Sequence, residues 1–154
     1  MYVSARDKAS CSCVHTPQSN TSSTTPVCHM QRVSALYEVV VFTASQPAYA
    51  DPLLDLMDPT GTRFSARLFR DACWRAGAGF YVKDLSLLGR PLASTIICDN
   101  SPPSYLLHPE NALPCGTFID DPNDTELWAL AEFLEAIADV DVSGMDTAPY
   151  GMQC

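Results

Sequence analysis

Two short, apolar, β-branched runs decide what this chain can fold into. Tyr37-Glu38-Val39-Val40-Val41-Phe42 and Ser94-Thr95-Ile96-Ile97-Cys98 are too short for helices and too continuously apolar for strands with one wet face. Each is therefore expected to be a strand buried on both sides. Each ends in small or polar residues, Thr43-Ala44-Ser45 and Asp99-Asn100-Ser101-Pro102, and helical stretches lie between them. Pro47 suits the first turn of a helix reaching about Met57, with Tyr49, Leu53, Leu54 and Met57 spaced for one face, and Asp58-Pro59-Thr60-Gly61 stops it. Phe64–Phe69 and Phe80–Val82 are shorter strand candidates around the turn Ala76-Gly77-Ala78-Gly79. Asn123 with Glu126 marks a capped start for a last helix carrying Leu127, Leu130, Ala131, Leu134, Ile137 and Ala138. Buried strands alternating with helices describe an open α/β sheet whose site lies at the strand C-termini.

The 154 residues suffice for one domain, and 47% hydrophobic content suffices for a core. Residues 1–30 are different: ten Ser or Thr, few large apolar residues and no period predict a disordered leader. The folded part is expected over 31–142, with 143–154 as a tail. The net charge of −9 argues against a binder of nucleic acid. Its distribution says more. Residues 91–154 hold eleven acids and no Lys or Arg, so an anionic ligand must be held by the middle segment. There is no secretory signal pattern and no run approaching the roughly 18 apolar residues of a membrane span. The seven cysteines, odd in number and scattered, read as reduced thiols rather than a disulfide frame.

Sharp catalytic signatures are missing. No cysteine has an arginine six residues on, and neither a P-loop nor a nucleophile elbow occurs. Cys11, Cys13, His15, Cys28 and His29 match no zinc-finger spacing, and His108, before Pro109, reads as structural. Cys98 reads as a small buried hydrophobe. What remains is Thr43, Lys83 after Phe80-Tyr81-Val82, and Asp99-Asn100: a hydroxyl, an ammonium and a carboxylate–amide pair at three strand ends. Phosphoryl transfer to an aspartate needs such a donor, charge clamp and cation site, although each group is also common at strand ends and turns.

In order along residues 31–142, Tyr37–Ser45, Tyr49-Ala50-Asp51-Pro52, Ala66-Arg67-Leu68-Phe69-Arg70, Tyr81–Ser86, Leu88-Gly89-Arg90, Ile97–Pro102 and Asn123–Leu127 resemble the FCP1 homology domain. Within it the chain is most similar to small phosphatases of the RNA polymerase II C-terminal domain and related nuclear-envelope phosphatases. The resemblance implies a haloacid-dehalogenase-like Rossmannoid parallel sheet with flanking helices, Mg²⁺ chemistry, a phosphoprotein substrate and a nuclear or cytoplasmic setting. It implies that Thr43 binds phosphoryl oxygens, that Lys83 neutralises the transferring phosphate, and that Asp99 and Asn100 form part of a Mg²⁺ site. Tyr49 and Arg70 fall where relatives line a phosphopeptide groove, and Asp51 and Pro52 look structural.

One part of the family pattern is missing. Such enzymes carry a strand ending in D-x-D-x-[TV], whose first aspartate attacks phosphorus. Upstream of Thr43 the only acids are Asp7 and Glu38, and the one D-x-D, Asp139-Val140-Asp141, follows the last helix. The sheet is thus expected to lack its central first strand, leaving two inner edges unpaired unless part of the leader, such as Pro26–Met30, fills the gap. The expectation is a Ser/Thr phosphoprotein phosphatase domain without its nucleophile, inactive as written and poor in Mg²⁺ ligands. It would represent part of an active phosphatase; the alternatives are a non-catalytic phosphopeptide-binding pseudophosphatase or a mitochondrial import translocase subunit of the same superfamily.

Overall fold

The computed structural model describes residues 1–5, 26–77, 79–121 and 123–138. Its elements are β1 (Tyr2–Ala5), α1 (Pro26–Leu36), β2 (Tyr37–Phe42), α2 (Pro47–Met57), β3 (Ala66–Leu68), β4 (Trp74–Arg75), β5 (Tyr81–Val82), β6 (Thr95–Asp99), β7 (Ala112–Pro114) and α3 (Glu126–Ala136). Five strands form one sheet in the order β3-β2-β1-β6-β7, and β4 and β5 form a separate hairpin. β2 and β6, the two apolar runs, lie on either side of β1, each with a parallel neighbour outside it, β3 and β7.

The centre of the sheet differs from expectation. The gap between β2 and β6 is filled, and by the first residues of the leader rather than by Pro26–Met30. β1 runs antiparallel to both neighbours, pairing Val3 with Val39 and with Ile96. An extended segment of either direction can satisfy two inner sheet edges, because an antiparallel ladder uses the same backbone groups as a parallel one. The expected parallel strand is absent, but its hydrogen bonds are replaced. Pro26–Met30 instead opens α1, so the leader is structured at both ends; its residues 6–25 lie outside the described residues, as do the tail and the Asp139-Val140-Asp141 motif.

Alternation along the strands builds two cores. Val3, Val39, Ile96, Cys98 and Leu113 face one side, where they meet Val33 and Tyr37 with Leu130, Ala131, Leu134 and Ile137 around α3. Val40, Ile97 and Ala112 face the other, against Leu85. Each fully buried aliphatic side chain contributes about 1.5–3 kcal/mol, so the α1–α3 layer is a main source of stability. Arg32 adds a two-pronged contact to Glu135 (2.7 and 2.6 Å) and lies 5.2 Å above the Trp128 ring. The Tyr37 hydroxyl donates to Leu134 O at 2.6 Å.

α2 begins and ends where its prolines and Asp58 predict, but its buried stripe is Ala50 and Leu54, while Tyr49 and Leu53 are exposed. Its stop is chemically specific. The buried Asp58 carboxylate accepts N–H bonds from Thr62, Arg63 and Phe64 at 2.9–3.0 Å, clamping the loop that leads into β3. α3 also starts differently from expectation: the Asp124 carboxylate, not Asn123, accepts the Glu126 N–H at 2.7 Å.

Candidate functional site

The C-terminal ends of β2, β5 and β6 deliver Thr43, Lys83 and Asp99. Lys83 and Asp99 are both buried and form an ion pair, Nζ to Oδ2, with side chains 6% and 7% exposed. Their elements differ in rigidity. Asp99 closes the fully buried β6, and its Oδ1 accepts the Ser101 N–H at 2.9 Å. Lys83 follows β5, whose only ladder partner among the described residues is the exposed β4, and its N–H reaches across to Ser104 O at 2.8 Å. The ammonium lies 5.8 Å from the centre of the Phe42 ring, immediately before Thr43.

Thr43 is anchored by its own N–H to Leu68 O at 2.8 Å, and its hydroxyl accepts the Ser45 N–H at 3.1 Å. Arg70, an exposed residue, donates from Nε to Ala44 O at 2.6 Å, and its guanidinium stacks 5.2 Å from the Tyr81 ring. Between these groups lies Cys73, a half-buried residue absent from the sequence-based candidates, whose Sγ approaches Thr43 O at 3.8 Å. Burial pushes its thiol pKa up; Lys83 and Arg70 oppose the shift, while Asp71 and Asp99 add to it. Nothing in the spacing around Cys73 announces this, because its neighbours come from three separate loops.

The two other thiols among the described residues shift the same way. Burial raises Cys98 to about 12 and raises Cys115, which disfavours the thiolate form of both. Met1 also enters the site: its amino group donates to Cys98 O at 3.1 Å, at the mouth of the slot that β1 fills.

Two expected site residues stand apart. Asn100 is exposed and donates to the Thr117 hydroxyl at 2.9 Å, and Tyr49 is 69% exposed on the outer side of α2. Asp51 behaves as the structural residue it resembles, accepting from Arg67 at 2.9 Å.

Mg²⁺ needs several convergent oxygens, at least one or two of them anionic. Here Asp99 offers one carboxylate, with one oxygen facing an ammonium and the other an N–H. Among the described residues no three His, Cys, Asp or Glu side chains come together. These residues do not fit the ion as they stand.

A family model described as "NLI interacting factor-like phosphatase" matches residues 27–143. The human CTD small phosphatase-like protein is 53% identical over 109 residues, 71% of this chain and 39% of the relative. Human carboxy-terminal domain RNA polymerase II polypeptide A small phosphatase 1 is 51% identical over 112 residues, 73% of the chain and 42% of the relative. Phosphatase PSR1 of Saccharomyces cerevisiae is 48% identical over 109 residues, 71% of the chain and 25% of the relative. The chain thus spans about two fifths or less of the length of these relatives, and β1 lies outside the 27–143 match.

Proposed function

The chain belongs to the NLI interacting factor-like phosphatase family, and from that membership we propose that it is a phosphoprotein-recognising domain that does not itself hydrolyse phosphate esters. Its α/β fold is haloacid-dehalogenase-like, as in that family. Relatives named as phosphatases of the RNA polymerase II carboxy-terminal domain make a phosphoserine or phosphothreonine peptide the natural ligand class.

The observation that carries the reading is the pairing of a buried Lys83 with Asp99 beside a slot whose occupant brings no carboxylate. A buried ammonium is a strong anion attractor in a low-dielectric pocket. A phosphate approaching from the strand C-termini competes with Asp99 for it, while the Thr43 and Ser45 hydroxyls and the Arg70 guanidinium supply further donors. Hydrolysis through a phospho-aspartate needs a nucleophilic carboxylate in line with the leaving group. β1, Tyr2–Ala5, occupies the slot instead, and Glu38 on β2 is held by Arg90 at 2.6 and 2.9 Å. Magnesium enters no step of this binding.

Isothermal titration with a phosphoserine peptide and its unphosphorylated twin tests the reading. The phosphorylated form is expected to bind, and Lys83→Ala to weaken it at least tenfold. Equal affinity for the two peptides, or an unaffected Lys83→Ala variant, overturns it. A second reading, a portion of an active phosphatase, is favoured by the two-fifths span of the relatives. Genomic sequence upstream of Gln31 encoding an apolar strand that ends in D-x-D-x-[TV] would support it.

A further inference from the structure

Lys83 lacks a rigid carrier. β5 is two residues long, belongs to a hairpin outside the main sheet, and pairs with a strand exposed at both positions. The buried Val82 and Leu85 on either side seat the segment in the core, and polar ties set how Lys83 is aligned with Asp99. The loop that follows β6 supplies them. One tie is the Lys83 N–H to Ser104 O; the other is made by the next residue, Asp84, whose Oδ1 receives the ring Nε2 of His108 at 2.9 Å.

We propose that His108 is a positioning residue for Lys83, acting through Asp84 to hold the ammonium-bearing segment against the loop that carries Asp99. This rests on the reading of Lys83 as the anion-binding cation. His108 suits the task because its own position is fixed from both directions. Its N–H donates to Tyr105 O at 3.0 Å and its carbonyl accepts the Asn111 N–H at 3.1 Å. Asn111 in turn donates to Leu92 O and Thr95 O at 2.7 and 2.8 Å, pinning the loop to the start of β6. At the loop's other end the Ser101 N–H holds Asp99. The His108 side chain is 10% exposed and that of Asp84 25%, so the contact is partly shielded from water.

The chemistry of the contact is directional. A carboxylate oxygen only accepts, so Nε2 carries the proton it donates. The same Oδ1 also accepts the Ser86 N–H at 3.0 Å and the Ser86 hydroxyl at 2.7 Å, which closes the short turn Leu85–Leu88 behind Lys83. His108 thus ties the turn that holds Lys83 to the loop that holds Asp99, touching neither side chain. Without its N–H donor the polar part of that cross-link reduces to the Lys83 N–H bond, beside the packing of Leu85 against Ile97 and Ala112.

Three variants of the full chain test this: His108→Leu fills the volume without a donor, His108→Asn is too short to reach, and His108→Gln restores an N–H at similar reach. Two readouts are taken at a temperature where circular dichroism finds each variant folded: affinity for the phosphoserine peptide, and the NMR signal of the Lys83 ammonium, slowed in exchange by its pairing with Asp99. Leu and Asn variants are expected to bind about tenfold more weakly and to lose the slowed signal; the Gln variant is expected to recover both. An intact ammonium signal in the folded Leu or Asn variant overturns the proposal, as does failure of Gln to restore it. That signal is independent of ligand, so it decides the role of His108 even if the wild-type chain binds no phosphopeptide. If the Leu variant does not fold, the Asn variant decides.

Discussion

Asp58 illustrates how one carboxylate fixes a boundary that sequence marks only as a stop. Burial alone would raise its pKa, but the N–H groups of Phe64, Arg63 and Thr62 and the Thr60 hydroxyl outweigh burial and lower it. A lowered folded-state value contributes stability that is fully present above the unfolded carboxylate pKa of about 3.9 and lost as pH falls through the folded value. Asp58→Ala leaves three N–H groups without their acceptor and is expected to cost about 3 kcal/mol near neutral pH. Urea unfolding of both proteins at neutral pH and near pH 3 checks this: the gap should narrow in acid, and an unchanged gap would contradict it. At this scale the sequence is partly legible. Thr43, Lys83 and Asp99 could be picked out because each lies at the end of a strand, and two of them meet as an ion pair. Cys73, Ser104 and the Asp84–His108 contact could not, because what brings them together is loop geometry, and an isolated histidine before a proline carries no spacing signal.

The elements divide along the same line. β2, α2, β6 and α3 are written in hydrophobic period and in their stop and start residues, and they form close to where those patterns put them. β7 is three residues long and carries no period to read. β1 and the first turn of α1 sit in a Ser/Thr-rich leader whose local composition argues against structure; tertiary demand overrides it, since the inner edges of β2 and β6 need partners more than residues 2–5 need solvent. Val3 is the test of that claim, being fully buried between Val39 and Ile96. Val3→Asp puts a charge in the core, costing several kcal/mol if β1 stays in place, so the strand should leave the slot. In hydrogen exchange, the amides of β2 and β6 that face β1 are expected to lose at least tenfold protection, and those of α2 to change least. Unaltered protection along both strands would mean that something other than β1 pairs them.

At the scale of the molecule, a family fold is retained while its central strand is replaced. The α/β sheet with flanking helices fits a haloacid-dehalogenase-like fold, as in the family, and 154 residues accommodate it. What changes is the content of the middle position, where β1 supplies backbone hydrogen bonds and apolar packing but no acid. The net charge of −9 acquires a local meaning here: the acidic C-terminal part contributes Asp99, and the middle segment contributes Lys83, which pairs with it, and Arg70, which is held at Ala44 O beside Thr43. On the proposed reading, the exchange of strand keeps the sheet's hydrogen bonds and the Lys83–Asp99 pair and leaves out the nucleophile. The direct test is release of phosphate from an aryl phosphate by the purified chain with and without added Mg²⁺. No release above the uncatalysed background is expected in either case; Mg²⁺-dependent release that Lys83→Ala abolishes would contradict the account.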